Sequence, residues 1–267
     1  MNIQTRPKAL VTGASSGIGA VYADRLARLG HDVVLVARDE ERMQALAERL
    51  QRDPGTSAEV LRADLLDPAD LQRVEARLLD DHAITMLVNN AGVAGLGPFD
   101  SADPLTLEAI VSLNVMAVTR LAAAAAKGFV ARGGGTIVNI GSVTALMPES
   151  FEPVYVATKA YVLALSQSLH EQLGPRGIRV QAVLPGMTRT EIWERSGVDP
   201  QTLPPDMVME ASELVDAALA GLDMGESVTI PSLPDVDEWE YFNDKRRKLA
   251  PLLSRKHAAE RYRLAPG

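Results

Sequence analysis

Apolar positions along the chain follow two rhythms in alternation. Short β-branched runs recur between longer stretches with an apolar residue every three or four places. The runs at 8–12 (KALVT), 31–37 (HDVVLVA), 58–62 (AEVLR), 84–88 (ITMLV), 136–140 (TIVNI) and 178–184 (IRVQAVL) predict buried parallel strands, with a short last one at 227–231 (SVTIP). Helices are predicted between them. The first, AVYADRLARLG, ends on Gly30, and EERMQALAERL follows Asp39 as its N-cap. A third opens at Asp67-Pro68, a long fourth runs from about 104 to 131, and a fifth carries Tyr155 to about residue 173. The last spans 211–224. Strand and helix in turn predict an α/β domain.

Two stretches break the rhythm. Prolines and mixed polarity between Glu191 and Glu210 read as a mobile segment long enough for a lid, or as a loop that simply packs. Beyond Asp235 the chain turns charged and aromatic (Trp239, Tyr241, Phe242, Tyr262), which predicts a helical tail packed on the core or on a neighbouring subunit. The expected organisation is one domain over 1–234, with a lid at about 187–210, and a tail over 235–267.

Composition narrows the function. The 267 residues are 46 % apolar and 23 % charged, with 27 basic against 35 acidic side chains and a net charge of −8. That balance argues against a nucleic-acid partner, and KRRK at 245–248 is too short to restore one. No cysteine is present and the four histidines stand apart, so no metal site is expected. The amino terminus lacks a signal-peptide core, and no apolar run reaches the ~18 residues of a membrane span. A cytoplasmic protein with no membrane partner is the expectation.

The candidate chemistry lies at strand ends. The run KALVT leads into Gly13-Ala14-Ser15-Ser16-Gly17-Ile18-Gly19 and then a helix. Small residues there let the backbone approach a pyrophosphate, and the helix start favours its charge. Arg38 ends the second strand, where an arginine can pair with the 2′-phosphate of NADP. Asp39 stands at the usual distance for an acid that binds the ribose of NAD, but it fits better as the helix cap. NADP is therefore expected, with NAD the alternative. Asp64 and Leu65 either flank an adenine ring or belong to a local turn. Asn89-Asn90-Ala91-Gly92 let the backbone pass close to a cofactor, while the amides tie strands together. Asn114 is a poor helix former inside a helix; it binds a water linking Lys159 to solvent, or it is a core amide bonded to backbone. After Pro185-Gly186, backbone groups together with Thr188 and Thr190 are candidates to hold a carboxamide. Ser142 ends the fifth strand, and Tyr155 and Lys159, four apart, share a helix face. An ammonium beside a phenol favours the phenolate, and the serine hydroxyl can hold a substrate oxygen.

TGASSGIG at 12–19, NNAG at 89–92, Asn114, Ser142, Y-x-x-x-K at 155–159 and PG at 185–186 occur in order. In this series the chain closely resembles the short-chain dehydrogenase/reductase family over about residues 6–232. The resemblance implies a doubly wound, Rossmann-type sheet of seven parallel strands with helices on both faces, and a nicotinamide cofactor. It implies Tyr155 as general acid/base, Lys159 lowering its pKa and holding the nicotinamide ribose, Ser142 positioning the substrate oxygen, and Asn114 completing a proton relay. It further implies a homodimer or homotetramer through the Asn114 and Tyr155 helices. Ser16 stands before Gly17 where a basic residue would support NADP, so Arg38 alone carries that preference. The expected function is NADP-dependent hydride transfer between the nicotinamide and a small, partly apolar carbonyl or secondary alcohol. The alternatives are an NAD-dependent alcohol dehydrogenase and a non-catalytic NADP-sensing regulator or scaffold on the same fold.

Overall fold

The computed structural model describes residues 6–52, 56–95, 97–195 and 199–262. The chain divides into two compact units, Met1–Pro231 and Ser232–Gly267. In the first, β1 (Lys8–Thr12), β2 (Asp32–Ala37), β3 (Ala58–Arg62), β4 (Ile84–Asn89), β5 (Gly135–Ile140), β6 (Ile178–Val183) and a short strand at Val228–Thr229 form one sheet. Its order is β3-β2-β1-β4-β5-β6 and then the 228–229 strand, and every pairing is parallel. The order reverses between β1 and β4, where the next strand after β3 returns to the far side of β1. Open α/β sheets hold their ligands at such a switch point, outside the carboxyl ends of the strands.

The strands are apolar on both sides because both sides are covered. Ala9, Val11, Val33 and Leu35 point into a core closed by α1 (Gly17–Arg28), α2 (Glu40–Leu50) and the helix at Ala211–Met224. Leu10, Val34, Val36 and Leu87 point into a second core against α3 (Pro68–Asp80) and the Leu121–Ala125–Phe129 stripe of the next long helix. The caps agree with the sequence: Asp39 accepts from Arg42 N at 3.1 Å, and Asp67 accepts from Ala69 N and Asp70 N.

One expectation needs correcting. The long helix predicted over 104–131 is two α-helices, α4 (Pro104–Val111) and α5 (Val118–Arg132), joined by a π-helical turn at Ser112–Ala117. Joined end to end, Pro104–Arg132 contains an 18-residue window of mean hydropathy 1.6 and is by length and composition apolar enough to cross a membrane. Ser112, Asn114, Thr119 and Arg120 interrupt it, so it holds no unbroken apolar run of that length. Here its buried side chains, Leu121, Ala125 and Phe129 among them, lie in the core beneath the sheet.

The 187–210 segment is stitched at both ends. Thr188–Arg189 (β7) pairs in parallel with Met209–Glu210 (β8), and Arg189 Nε meets Glu210 at 2.5 Å. Between them lie a helical turn at Ile192–Arg195 and two 3₁₀ turns. In the second unit a helix at Val236–Arg247, capped by Asp235, stacks Trp239 on Phe242 with ring centroids 5.7 Å apart. Residues 196–198 of the expected lid and 263–267 of the tail lie outside the described residues.

Candidate active site

The glycine turn fits a phosphate because its backbone leaves no room for side chains. Gly13 has φ +66°, and a Cβ there would stand 2.7 Å from Asn90 Nδ2. A Cβ on Gly19 would overlap the Gly13 carbonyl. Thr12 and Asn90 hold the turn from below. The Thr12 hydroxyl accepts from the amides of Asn90 and Ala91, each at 3.0 Å, and Asn90 Nδ2 donates to Thr12 O at 2.9 Å. α1 starts at Gly17, aiming its free N–H groups at the turn. The residues fit a pyrophosphate on these grounds. Arg38 is exposed at the end of β2 and Asp39 is committed to capping α2, so the acid does not compete for the ribose position.

Asp64 accepts from Leu66 N at 3.0 Å, which is the local-turn arrangement, while Leu65 is buried in the core under α3. Pro185 O accepts from Val143 N, and Thr188 Oγ1 donates to Gly186 O, so the strand-end loop after β6 is tied to the loop after β5. Thr190 packs on the glycine turn, its Cγ2 lying 3.1 Å from the place a Gly17 Cβ would take. A cavity of about 420 Å³ opens here, lined by Gly17, Arg189, Thr190, Glu191, Trp193, Leu203 and Val208. Trp193 is fixed on its wall by donating Nε1–H to Thr188 O at 2.8 Å.

Ser142, Tyr155 and Lys159 meet as the spacing predicted. Ser142 caps the 3₁₀ turn Val143–Leu146, accepting from Thr144 N, and its hydroxyl lies close enough to that of Tyr155 to favour the phenolate. Lys159, buried on α6 (Pro153–Leu173), places Nζ 5.6 Å from the centroid of the Tyr155 ring and donates to Ile140 O at 3.0 Å. Burial raises the Tyr155 pKa above its ordinary value, and the neighbouring Ser142 hydroxyl acts in the opposite direction. Burial lowers Lys159 to about 8. The expected depression of the phenol by the lysine is therefore not the leading influence in this state; desolvation is.

Asn114 lies in the π turn and takes the core-amide arrangement. Its Oδ1 accepts from Val93 N at 3.0 Å, and its Nδ2 donates to Val93 O at 2.8 Å and Thr158 Oγ1 at 3.1 Å. Thr158 in turn donates to Tyr155 O at 2.7 Å. The sequence reading missed Thr158, Thr12 and Glu152. Glu152 accepts from Val154 N at 2.8 Å and Tyr155 N at 2.6 Å, so the backbone of Tyr155 is held on both sides. The signal was present: an acid followed by proline is a helix start. Glu152→Ala should lower stability by about 0.5–2 kcal/mol, the usual cost of a lost N-cap. A urea midpoint equal to that of the wild type would refute the cap's contribution.

Comparison with known proteins agrees with this geometry. The family model for short chain dehydrogenases matches residues 7–200. The chain belongs to the short-chain dehydrogenase family and is an oxidoreductase of that family. It is 33 % identical to the very-long-chain 3-oxoacyl-CoA reductase of Anas platyrhynchos over 189 residues, which is 69 % of this chain but only 60 % of that longer protein. Among solved structures it is similar to a short-chain dehydrogenase from Sphingobium yanoikuyae in complex with NADPH, with 54 % identity, a TM-score of 0.93, and coverage of 96 % of this chain and all of that one. It is also similar to the bulky-bulky ketone specific alcohol dehydrogenase from Comamonas testosteroni, with 48 % identity, a TM-score of 0.89, and 97 % and 99 % of the two chains covered.

Proposed function

We propose that the chain is an NADP(H)-dependent oxidoreductase that interconverts ketones bulky on both sides and their secondary alcohols. The observation that carries this reading is the convergence of Ser142, Tyr155 and Lys159 at the carboxyl edge of the same sheet whose first strand leads into the glycine turn. Bound NADPH would supply the hydride in reduction, and NADP+ would accept it in oxidation. In reduction the Tyr155 hydroxyl gives its proton to the substrate oxygen as negative charge develops there, and the Ser142 hydroxyl holds that oxygen. Lys159, charged below about pH 8, stabilises the phenolate that Tyr155 becomes. Glu152 and Thr158 keep the tyrosine backbone in place throughout. Oxidation runs the same steps in reverse.

NADP is supported by exposed Arg38 and by the NADPH complex of the Sphingobium relative. The substrate class is supported by the likeness to the Comamonas enzyme over nearly the whole of both chains. It is supported also by Met147 and Phe151, which lie exposed in the loop before Tyr155, where core packing does not account for them. Titration by nicotinamide fluorescence tests the cofactor: NADPH should bind more tightly than NADH, and Arg38→Ala should reduce that preference tenfold or more, about 1.4 kcal/mol. Equal binding of both cofactors would return the role to an NAD-type ribose contact. Tight NADPH binding with no turnover on a panel of bulky and methyl ketones would favour the cofactor-sensing alternative.

A further inference from the structure

A second arginine stands four residues after Arg38, at the start of α2. Arg42, in the first turn of α2, donates through Nη1 to both carboxylate oxygens of Glu191, at 2.7 Å each, and its Nε lies 3.4 Å from Asp39 Oδ2. Glu191 is far away in sequence and follows Thr190, the residue packed on the glycine turn. The root of the 188–210 segment is thus fastened at two points, the glycine turn and the start of α2, and Arg38 immediately precedes Asp39, the cap that Arg42 contacts.

We propose that Arg42 is a second ligand for the 2′-phosphate of NADP, and that Glu191 is the anion that occupies it until the phosphate arrives. The inference rests on the NADP reading above. Its driving force follows from the two partners. The side chains of Arg42 and Glu191 are 49 % and 37 % exposed, and a carboxylate pair in that setting is weak and screened by solvent. A phosphate monoester carries about −1.5 to −2 charges and three acceptor oxygens, which an arginine fork binds more strongly than it binds one exposed carboxylate. NADPH therefore displaces Glu191. NADH offers only hydroxyls at that position and leaves the ion pair closed. Asp39 remains the cap of α2 in both cases.

The test is fluorescence titration of the full chain with NADPH and with NADH. Glu191→Gln removes the competitor, so NADPH should bind up to about fivefold more tightly, with NADH unchanged. Arg42→Ala should weaken NADPH about tenfold with NADH unchanged. Arg42→Lys, which keeps the charge but loses the fork, should fall between. Loosening of both cofactors alike in Glu191→Gln would mean that the ion pair is only a strap across the groove, and would overturn the proposal. So would an Arg42→Ala variant that binds NADPH as the wild type does. Arg38→Ala separates the two readings: if it is silent while Arg42→Ala is not, the role of Arg38 falls and that of Arg42 stands. A wild-type protein that binds neither cofactor removes both.

Discussion

Tyr155→Phe should lower kcat for ketone reduction by about 10²–10⁴-fold, the range spanned by loss of a general acid, while the Kd for NADPH stays within a factor of about two. The split follows from the geometry. The ring of phenylalanine fills the same half-buried place, and the backbone bonds from Glu152 and to Thr158 do not involve the hydroxyl. What disappears is the proton-carrying hydroxyl beside Ser142. Stopped-flow measurement of NADPH consumption, with fluorescence titration beside it, reads both quantities. Retained turnover would remove Tyr155 from the chemistry and leave Ser142 to be tested next. A matched loss of cofactor affinity would instead mean that the hydroxyl orders the groove rather than moving a proton.

Most of the scaffold was legible in the sequence because its determinants are local. Parallel strands covered on both faces give unbroken apolar runs, and Asp39, Asp67 and Gly30 mark helix ends through single-residue chemistry. The meeting of Tyr155 and Lys159 was legible because four residues on a helix fix a common face. The remainder depends on groups that meet only after folding. The π turn at Asn114 is invisible in a pattern that continues as an ordinary helix, and it is held by Val93 and Thr158, residues 21 and 44 positions away. The Arg42–Glu191 ion pair joins residues 149 apart. No sequence period reports how deeply a side chain is buried, so the low pKa of Lys159 could not be read from Y-x-x-x-K, which says only where the lysine points.

That burial gives the second large effect. The pKa of Lys159 falls from 10.5 to about 8 because folding strips water from the ammonium. Below pH 8 the lysine is charged in both folded and unfolded chains, and the folded one bears the desolvation cost. As pH rises through 8 the folded chain releases the proton first, and the cost is relieved progressively up to 10.5. The unfolded state binds more protons across this window, so stability rises with pH there, by about 3 kcal/mol at most. Tyr22 and Tyr155, both raised by burial, act in the opposite direction, but only above their ordinary value of 10. The clean window is pH 8 to 10. Urea unfolding of wild type and Lys159→Met across that window should show a rise in the first and its absence in the second. The same variant should lose most of its ketone reductase activity at pH 7, since no cation remains beside the Tyr155 ring to favour the phenolate. Parallel stability curves for the two proteins would mean that the ammonium keeps its water in the folded state. The lysine would then act on Tyr155 through solvent, and its substitution would change kcat far less than that of the tyrosine.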